Sequence, residues 1–174
     1  DVQTPNIDRL RQESFEFHTA ITNCPICMPA RSALLSGQYT RRCTGNLNNH
    51  HKFDKKGQWY FPDPPERVRT QLPDKTLSEY TCDAGYYNKL IGKWHIHPEP
   101  RLLGFHSWCF PLSYHRYYQQ CYFEDDTAYV ADEFAPDLES RKMREFIYEY
   151  NDARPFCLYC TLPCPHMPLG NLPE

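Results

Sequence analysis

Thr76-Leu77-Ser78-Glu79, followed by Gly85 and then by Tyr87-Asn88-Lys89-Leu90-Ile91-Gly92-Lys93-Trp94-His95, decides the fold class of this chain. Thr76 and Glu79 read as a capping box, in which side chain and backbone satisfy each other reciprocally, so a helix starts there and stops near Gly85. Tyr87 to Ile91 then makes a short strand, which ends at Gly92-Lys93-Trp94-His95. The pattern recurs downstream. Met143, Phe146, Ile147 and Tyr150 fall at i, i+3, i+4 and i+7, the mark of an amphipathic helix beginning near Asp137. Arg154-Pro155 breaks that helix. Phe156-Cys157-Leu158-Tyr159-Cys160-Thr161-Leu162 is a continuous apolar run suited to a buried strand, and Pro163-Cys164-Pro165-His166 ends it. Helices alternating with short buried strands imply an α/β fold with a largely parallel central sheet. Ligands of such sheets collect beyond the carboxyl ends of the strands, where Lys93, His95 and His166 are all expected.

Upstream, Thr4-Pro5-Asn6-Ile7 reads as an N-cap with Pro at the first helical position, and Ile7 and Leu10 share a face. Phe15-Glu16-Phe17-His18-Thr19-Ala20 alternates as a half-buried strand does. Cys24-Pro25-Ile26-Cys27-Met28-Pro29-Ala30-Arg31-Ser32-Ala33-Leu34-Leu35-Ser36-Gly37 places a thiol at the mouth of a short helix. Pro29 suits the first turn, and Gly37 suits a left-handed cap. Cys27 then lies beside unpaired backbone N–H groups at the positive end of a helix dipole, with Arg31 one turn on. Residues 41–73 and 98–135 show no clean period and are expected to be long surface excursions.

A length of 174 residues allows one domain or part of a larger one. The net charge of −3, with Lys and Arg scattered, gives no basic stripe for nucleic acid. No apolar run approaches the roughly 20 residues of a membrane span. The chain opens at Asp1-Val2-Gln3 without a Met, so the lack of a leader carries no weight. Sixteen prolines against seven glycines imply ordered turns and extended connections, not a flexible linker. Nine cysteines form an odd set without the regular spacing of a disulfide scaffold, which leaves the redox compartment open.

Three blocks resemble the type I sulfatases of the alkaline-phosphatase-like superfamily. The first is Cys27-Met28-Pro29-Ala30-Arg31, flanked by Thr4-Pro5-Asn6-Ile7-Asp8-Arg9-Leu10 and Leu34-Leu35-Ser36-Gly37-Gln38-Tyr39. The second runs from Gly85-Tyr86 to Lys93-Trp94-His95, and the third from Pro155-Phe156 to His166-Met167-Pro168-Leu169. Their order is the family's, and they span most of the chain. Ala30, where the family often has Ser, and His97, where it often has Gly, are mild departures. The resemblance implies an α/β/α sandwich, present here in part. It implies oxidation of Cys27 to formylglycine by a formylglycine-generating or anaerobic maturing enzyme. The hydrated aldehyde would attack the sulfur of a sulfated small molecule or glycan, and its second hydroxyl would expel sulfate. Arg31 would hold the diol, Lys93 would pair with sulfate oxygens, His95 would assist collapse of the diol, and His166 would bind sulfate near the leaving oxygen. A divalent cation, usually calcium, would take Cys27 in its oxidised form among its ligands.

The family's paired aspartates before the first block, its Asp-Asn or Asp-His after the third, and its late Lys are not in this sequence. Residues 1–174 are therefore expected to be an interior segment of the catalytic domain, truncated at both ends and inactive alone. A phosphonate monoester or phosphodiester hydrolase of the same superfamily is the nearest alternative. A non-catalytic cysteine-rich zinc module, built on Cys24/Cys27 and Cys157/Cys160 with Cys164 and His166 nearby, is the alternative of another class. A periplasmic, secreted or lysosomal-type compartment is favoured over the cytoplasm. Asp125-Asp126, His50-His51 and His115 are read as solvated surface residues.

Overall fold

The computed structural model describes residues 2–44, 52–53, 59–60, 72, 74–96, 98–112 and 116–167. Its elements in chain order are α1 (Pro5–Gln12), α2 (Cys27–Ser36), α3 (Thr40–Thr44), β1 (Lys52–Phe53), β2 (Trp59–Tyr60), α4 (Leu77–Asp83), β3 (Tyr87–Gly92), a 3-10 turn (Pro100–Leu103), β4 (Ser107–Pro111), β5 (Gln120–Glu124), β6 (Thr127–Ala131), α5 (Ala135–Glu149) and β7 (Phe156–Thr161).

The capping box forms as expected. Glu79 N–H donates to Thr76 Oγ1 at 3.4 Å, and Thr76 N–H donates to Glu79 Oε2 at 2.8 Å. The strand that follows, β3, lies between two parallel neighbours: β7 on one side, in register from Tyr87↔Phe156 to Gly92↔Thr161, and β4 on the other. β5 and β6 extend the sheet antiparallel, giving the order β6-β5-β4-β3-β7. Asn88, fully buried on β3, ties this unit together: its amide donates to the carbonyls of Ser78 and Gly104, and its oxygen accepts from Thr81. A buried amide is tolerated because these bonds replace those it had with water.

Consecutive residues of β3 point to opposite faces, and each face has its own core. Leu90 joins Ala33 and Leu35 of α2 with Trp94, Leu103, Phe105 and Trp108. Ile91 joins Cys109, Tyr117 and Tyr122 with Ala135 and Leu138 of α5. Helices therefore cover both faces, in the α/β/α arrangement. Glu139 is wholly enclosed in the second layer. Tyr122 donates to its Oε1 at 3.0 Å, while Oε2 has no partner among the described residues. Burial pushes this carboxyl up to about 8, against the smaller opposing effect of the Tyr122 hydrogen bond.

Three expectations change. Residues 15–20 form no strand: Phe15 is 92 % and Phe17 80 % exposed, and no strand lies beside them among the described residues. Alternation supplies a face for a sheet but no hydrogen-bonding partner. The segment 98–135 is no mere excursion, since it supplies β4, β5 and β6. Asp125-Asp126 forms the two-residue turn between β5 and β6, and Asp125 has φ +51°. Both side chains are exposed as expected, but each makes a tie: Trp108 N–H donates to Asp125 Oδ1 at 2.8 Å, and Arg101 pairs with Asp126. α5 begins at Ala135, ahead of Asp137, with Pro136 in its first turn. Most of 41–73 lies outside the described residues, as do His50, His51, His97 and His115; Leu72 is buried in the first core layer.

Candidate active site

Cys27 is the first residue of α2. The preceding Ile26 is extended and supplies no side-chain cap, Pro29 has no N–H to satisfy, and the Ala30 N–H bonds the Ile26 carbonyl at 2.9 Å. Met28, Ser32, Ala33 and Leu35 are buried and anchor the helix to the sheet layer. Gly37 closes it with φ +65°, its N–H bonded to the carbonyl of Ala33 at 2.9 Å. Cys27 and Arg31, four residues apart, share a face of this helix.

Arg31 reaches across to the sheet. Its Nη1 donates to the backbone carbonyl of Lys93 at 2.7 Å, which pins the helix to the carboxyl end of β3. The chain leaves β3 through Gly92 at φ +96°, where a Cβ would stand 2.3 Å from the carbonyl oxygen of Thr161 on β7. Only glycine fits so close an approach. Lys93 N–H donates to that same carbonyl at 2.6 Å, and the hydroxyl of Thr161 donates to the carbonyl of Lys93 at 2.7 Å.

The Lys93 side chain is buried, at 3 % residue exposure. Burial holds its ammonium below the ordinary lysine range; the charge of Arg31 adds to this and Cys27 opposes it. Lys93 therefore feels the fields of both Arg31 and Cys27. Arg31 also acts on Tyr159 of β7, whose hydroxyl is raised by burial and has no hydrogen-bond partner among the described residues. An ammonium and a guanidinium near the start of a helix that opens on a thiol are chemistry suited to a tetrahedral oxyanion bound beside a nucleophile.

His95 follows Lys93 on the same turn, at φ +52°, an uncommon conformation for a side-chain-bearing residue. His166 stands on the segment after β7, half-buried, with its N–H bonded to the Pro163 carbonyl at 3.0 Å and its ring to the Met167 carbonyl at 2.7 Å. Its own carbonyl accepts the hydroxyl of Tyr117. Tyr117, one of the aromatic residues of the 98–135 stretch whose sequence reading is core packing, is buried in the second core layer as that reading expects, but no local pattern announces its link to His166. The structure thus bonds Arg31 to the Lys93 backbone, with Cys27 one turn before Arg31 on the same helix, and has His95 and His166 past the ends of β3 and β7.

No group of three or more His, Cys, Asp or Glu side chains suited to a metal ion occurs among the described residues. All nine cysteines are free thiols. Cys157 and Cys160 sit on β7 opposite Asn88 and Ile91, three positions apart and so on opposite faces of the strand. That is not the turn on which a zinc knuckle is built.

The family profile for sulfatases matches residues 1–173. The chain belongs to the sulfatase family. An N-acetylglucosamine-6-O-sulfatase of Bacteroides thetaiotaomicron is 27 % identical over 168 residues, covering 95 % of this sulfatase chain and 26 % of the relative. An N-acetylgalactosamine-6-sulfatase of Canis lupus familiaris is 31 % identical over 112 residues, covering 61 % of this chain and 20 % of the relative. The chain thus spans about a quarter or less of these relatives' lengths. A solved structure described as in complex with its substrate D-glucosamine-2-N,6-O-disulfate superposes with a TM-score of 0.72 at 25 % identity, over 95 % of this chain and 30 % of that one. The α/β sheet with its covering helices is the sulfatase fold, in part.

Proposed function

We propose that this chain is the nucleophile-bearing part of a sulfatase catalytic domain that hydrolyses a sulfate ester, with Cys27 as the precursor of the nucleophile. The observation that carries the reading is the Arg31–Lys93 bond of 2.7 Å, which sets the Cys27 end of α2 over the carboxyl end of β3. Conversion of Cys27 to formylglycine by a maturation enzyme would supply a hydrated aldehyde, with one oxygen to take the sulfuryl group and a second to release it.

The remaining work is assigned to four side chains near the same strand ends. Arg31, held by the Lys93 carbonyl one turn beyond residue 27, offsets negative charge at the site. Buried Lys93 gives its ammonium to the sulfate oxygens, where low solvation strengthens the attraction. The positive end of the α2 dipole adds to the same field. His95 and His166, from the two adjoining strand ends, serve proton transfer and sulfate binding. A divalent cation, calcium in the family's usual form, would take the oxidised residue 27 among its oxygen ligands and would add positive charge beside the sulfate group.

The N-acetylglucosamine-6-O-sulfatase relative and the neighbour bound to a glucosamine disulfate favour a sulfated amino sugar as substrate. A periplasmic, secreted or lysosomal-type compartment accords with such a substrate. The test compares hydrolysis by the full-length, matured protein of a 6-O-sulfated glucosamine, read as sulfate released, with that of a phosphonate monoester, read as alcohol released. At least about a hundredfold higher kcat/KM for the sulfate ester is expected, some 2.7 kcal/mol of transition-state preference. Faster cleavage of the phosphonate would overturn the sulfatase assignment in favour of its superfamily alternative.

A further inference from the structure

We infer that Thr161 is a positioning residue of this site, acting through the backbone carbonyl of Lys93 to fix Arg31 and Lys93 together; this rests on the sulfatase reading above. Thr161 holds residue 93 at both of its backbone polar groups. Its carbonyl takes the Lys93 N–H at 2.6 Å, and its hydroxyl donates to the Lys93 oxygen at 2.7 Å. The second donor to that oxygen is Arg31, also at 2.7 Å. A carbonyl oxygen has two lone pairs, and here one is used by a helix and the other by a strand. The hydroxyl thus sets the tilt of the peptide plane on which the guanidinium rests. The close approach of Gly92 to Thr161, which leaves no room for a Cβ, keeps the two strand ends near enough for the bond to form.

A polar side chain is not what a strand end inside an apolar run calls for. Contrary to the buried strand that its apolar run suggests, β7 is the edge strand of the sheet and none of its residues is buried, and there valine would serve the strand equally well, since its shape matches threonine and its strand preference is as strong. What valine lacks is the hydroxyl. That difference separates a structural role from a positioning one.

The test uses the full-length, matured protein with an aryl sulfate as chromogenic probe, in wild type, T161V and T161S. T161V is expected to lower kcat about tenfold, the worth of one hydrogen bond lost to the transition state, with KM moved less than about twofold. T161S, which keeps the hydroxyl, is expected to restore most of that rate. Amide hydrogen exchange of the peptides covering 27–36 and 92–96 is expected to quicken in T161V and to return toward wild type in T161S. Wild-type kcat in T161V would overturn the proposal, as would a T161S enzyme as slow as T161V, which would reduce the effect to strand packing. A wild-type protein that releases no sulfate would instead overturn the sulfatase reading and the catalytic consequence with it. In that case quickened exchange in T161V alone still supports the tie, and unchanged exchange overturns it.

Discussion

The full-length, matured protein carrying Cys27→Ala is expected to lose sulfate release by three orders of magnitude or more, while unfolding at the wild-type temperature. Removing the group that forms the covalent bond in an enzyme of this kind costs on the order of 10³ to 10⁶ in kcat, because the remaining residues bind the substrate without attacking it. The fold has no stake in the thiol. Cys27 is half-buried at the first position of α2 and does not cap the helix, whose buried anchors are Met28, Ser32, Ala33 and Leu35. Alanine is also the better helix former. Lys93 and Arg31 keep their carbonyl bond, so substrate affinity is expected to change far less than turnover. Steady-state kinetics with a parallel thermal melt checks both halves. Turnover within about tenfold of wild type would remove Cys27 from the chemistry.

Glu139→Gln is expected to stabilise the full-length protein, and to do so increasingly as pH rises. Enclosed between α5 and the sheet, the Glu139 carboxyl is raised from its ordinary 4.5 to about 8. In the unfolded chain it ionises near its ordinary value, so between the two values the folded state holds a proton that the unfolded state has lost. Stability therefore falls as pH rises from about 4.5 to about 8, and is level above that. Each pH unit in this window costs about 1.4 kcal/mol, so the full effect is a few kcal/mol. Glutamine keeps the shape, accepts from Tyr122 and never ionises. Melts from pH 5 to 9 are expected to show nearly equal midpoints at the acid end and a variant higher by roughly 5–15 °C at the alkaline end. A constant difference across the range would contradict the buried, protonated state.

What the sequence disclosed was local. The Thr76–Glu79 box, the α5 periodicity and the apolar run of β7 are short-range patterns, and each marks a real element. The parallel pairing of β3 with β7 follows from them, because helix-then-strand units return the chain in the same direction. β4 escaped notice because both its faces are buried, as its sequence Ser107-Trp108-Cys109-Phe110-Pro111 shows no alternation to read. The β5–β6 hairpin was hidden by its turn: Asp125-Asp126 lacks the glycine that usually announces two residues between strands. The strand expected at 15–20 failed in the opposite way, with an alternating pattern and no neighbour. At the site, the i+4 relation of Cys27 and Arg31 and the position of Lys93 past a strand end were legible. The bonds that make them a unit were not. Arg31 to the Lys93 carbonyl, Thr161 to the same atom and Tyr117 to the His166 carbonyl all cross long stretches of chain, and backbone acceptors leave no signature in composition or spacing.

The chemistry proposed for this site depends on what residue 27 is in the mature protein. Mass spectrometry of the peptide spanning Cys27, from full-length protein coexpressed with a formylglycine-generating enzyme, measures this directly. The expected mass is that of the aldehyde, with trapping by a carbonyl-reactive amine at residue 27. An intact thiol in protein that nonetheless releases sulfate at full rate would contradict it.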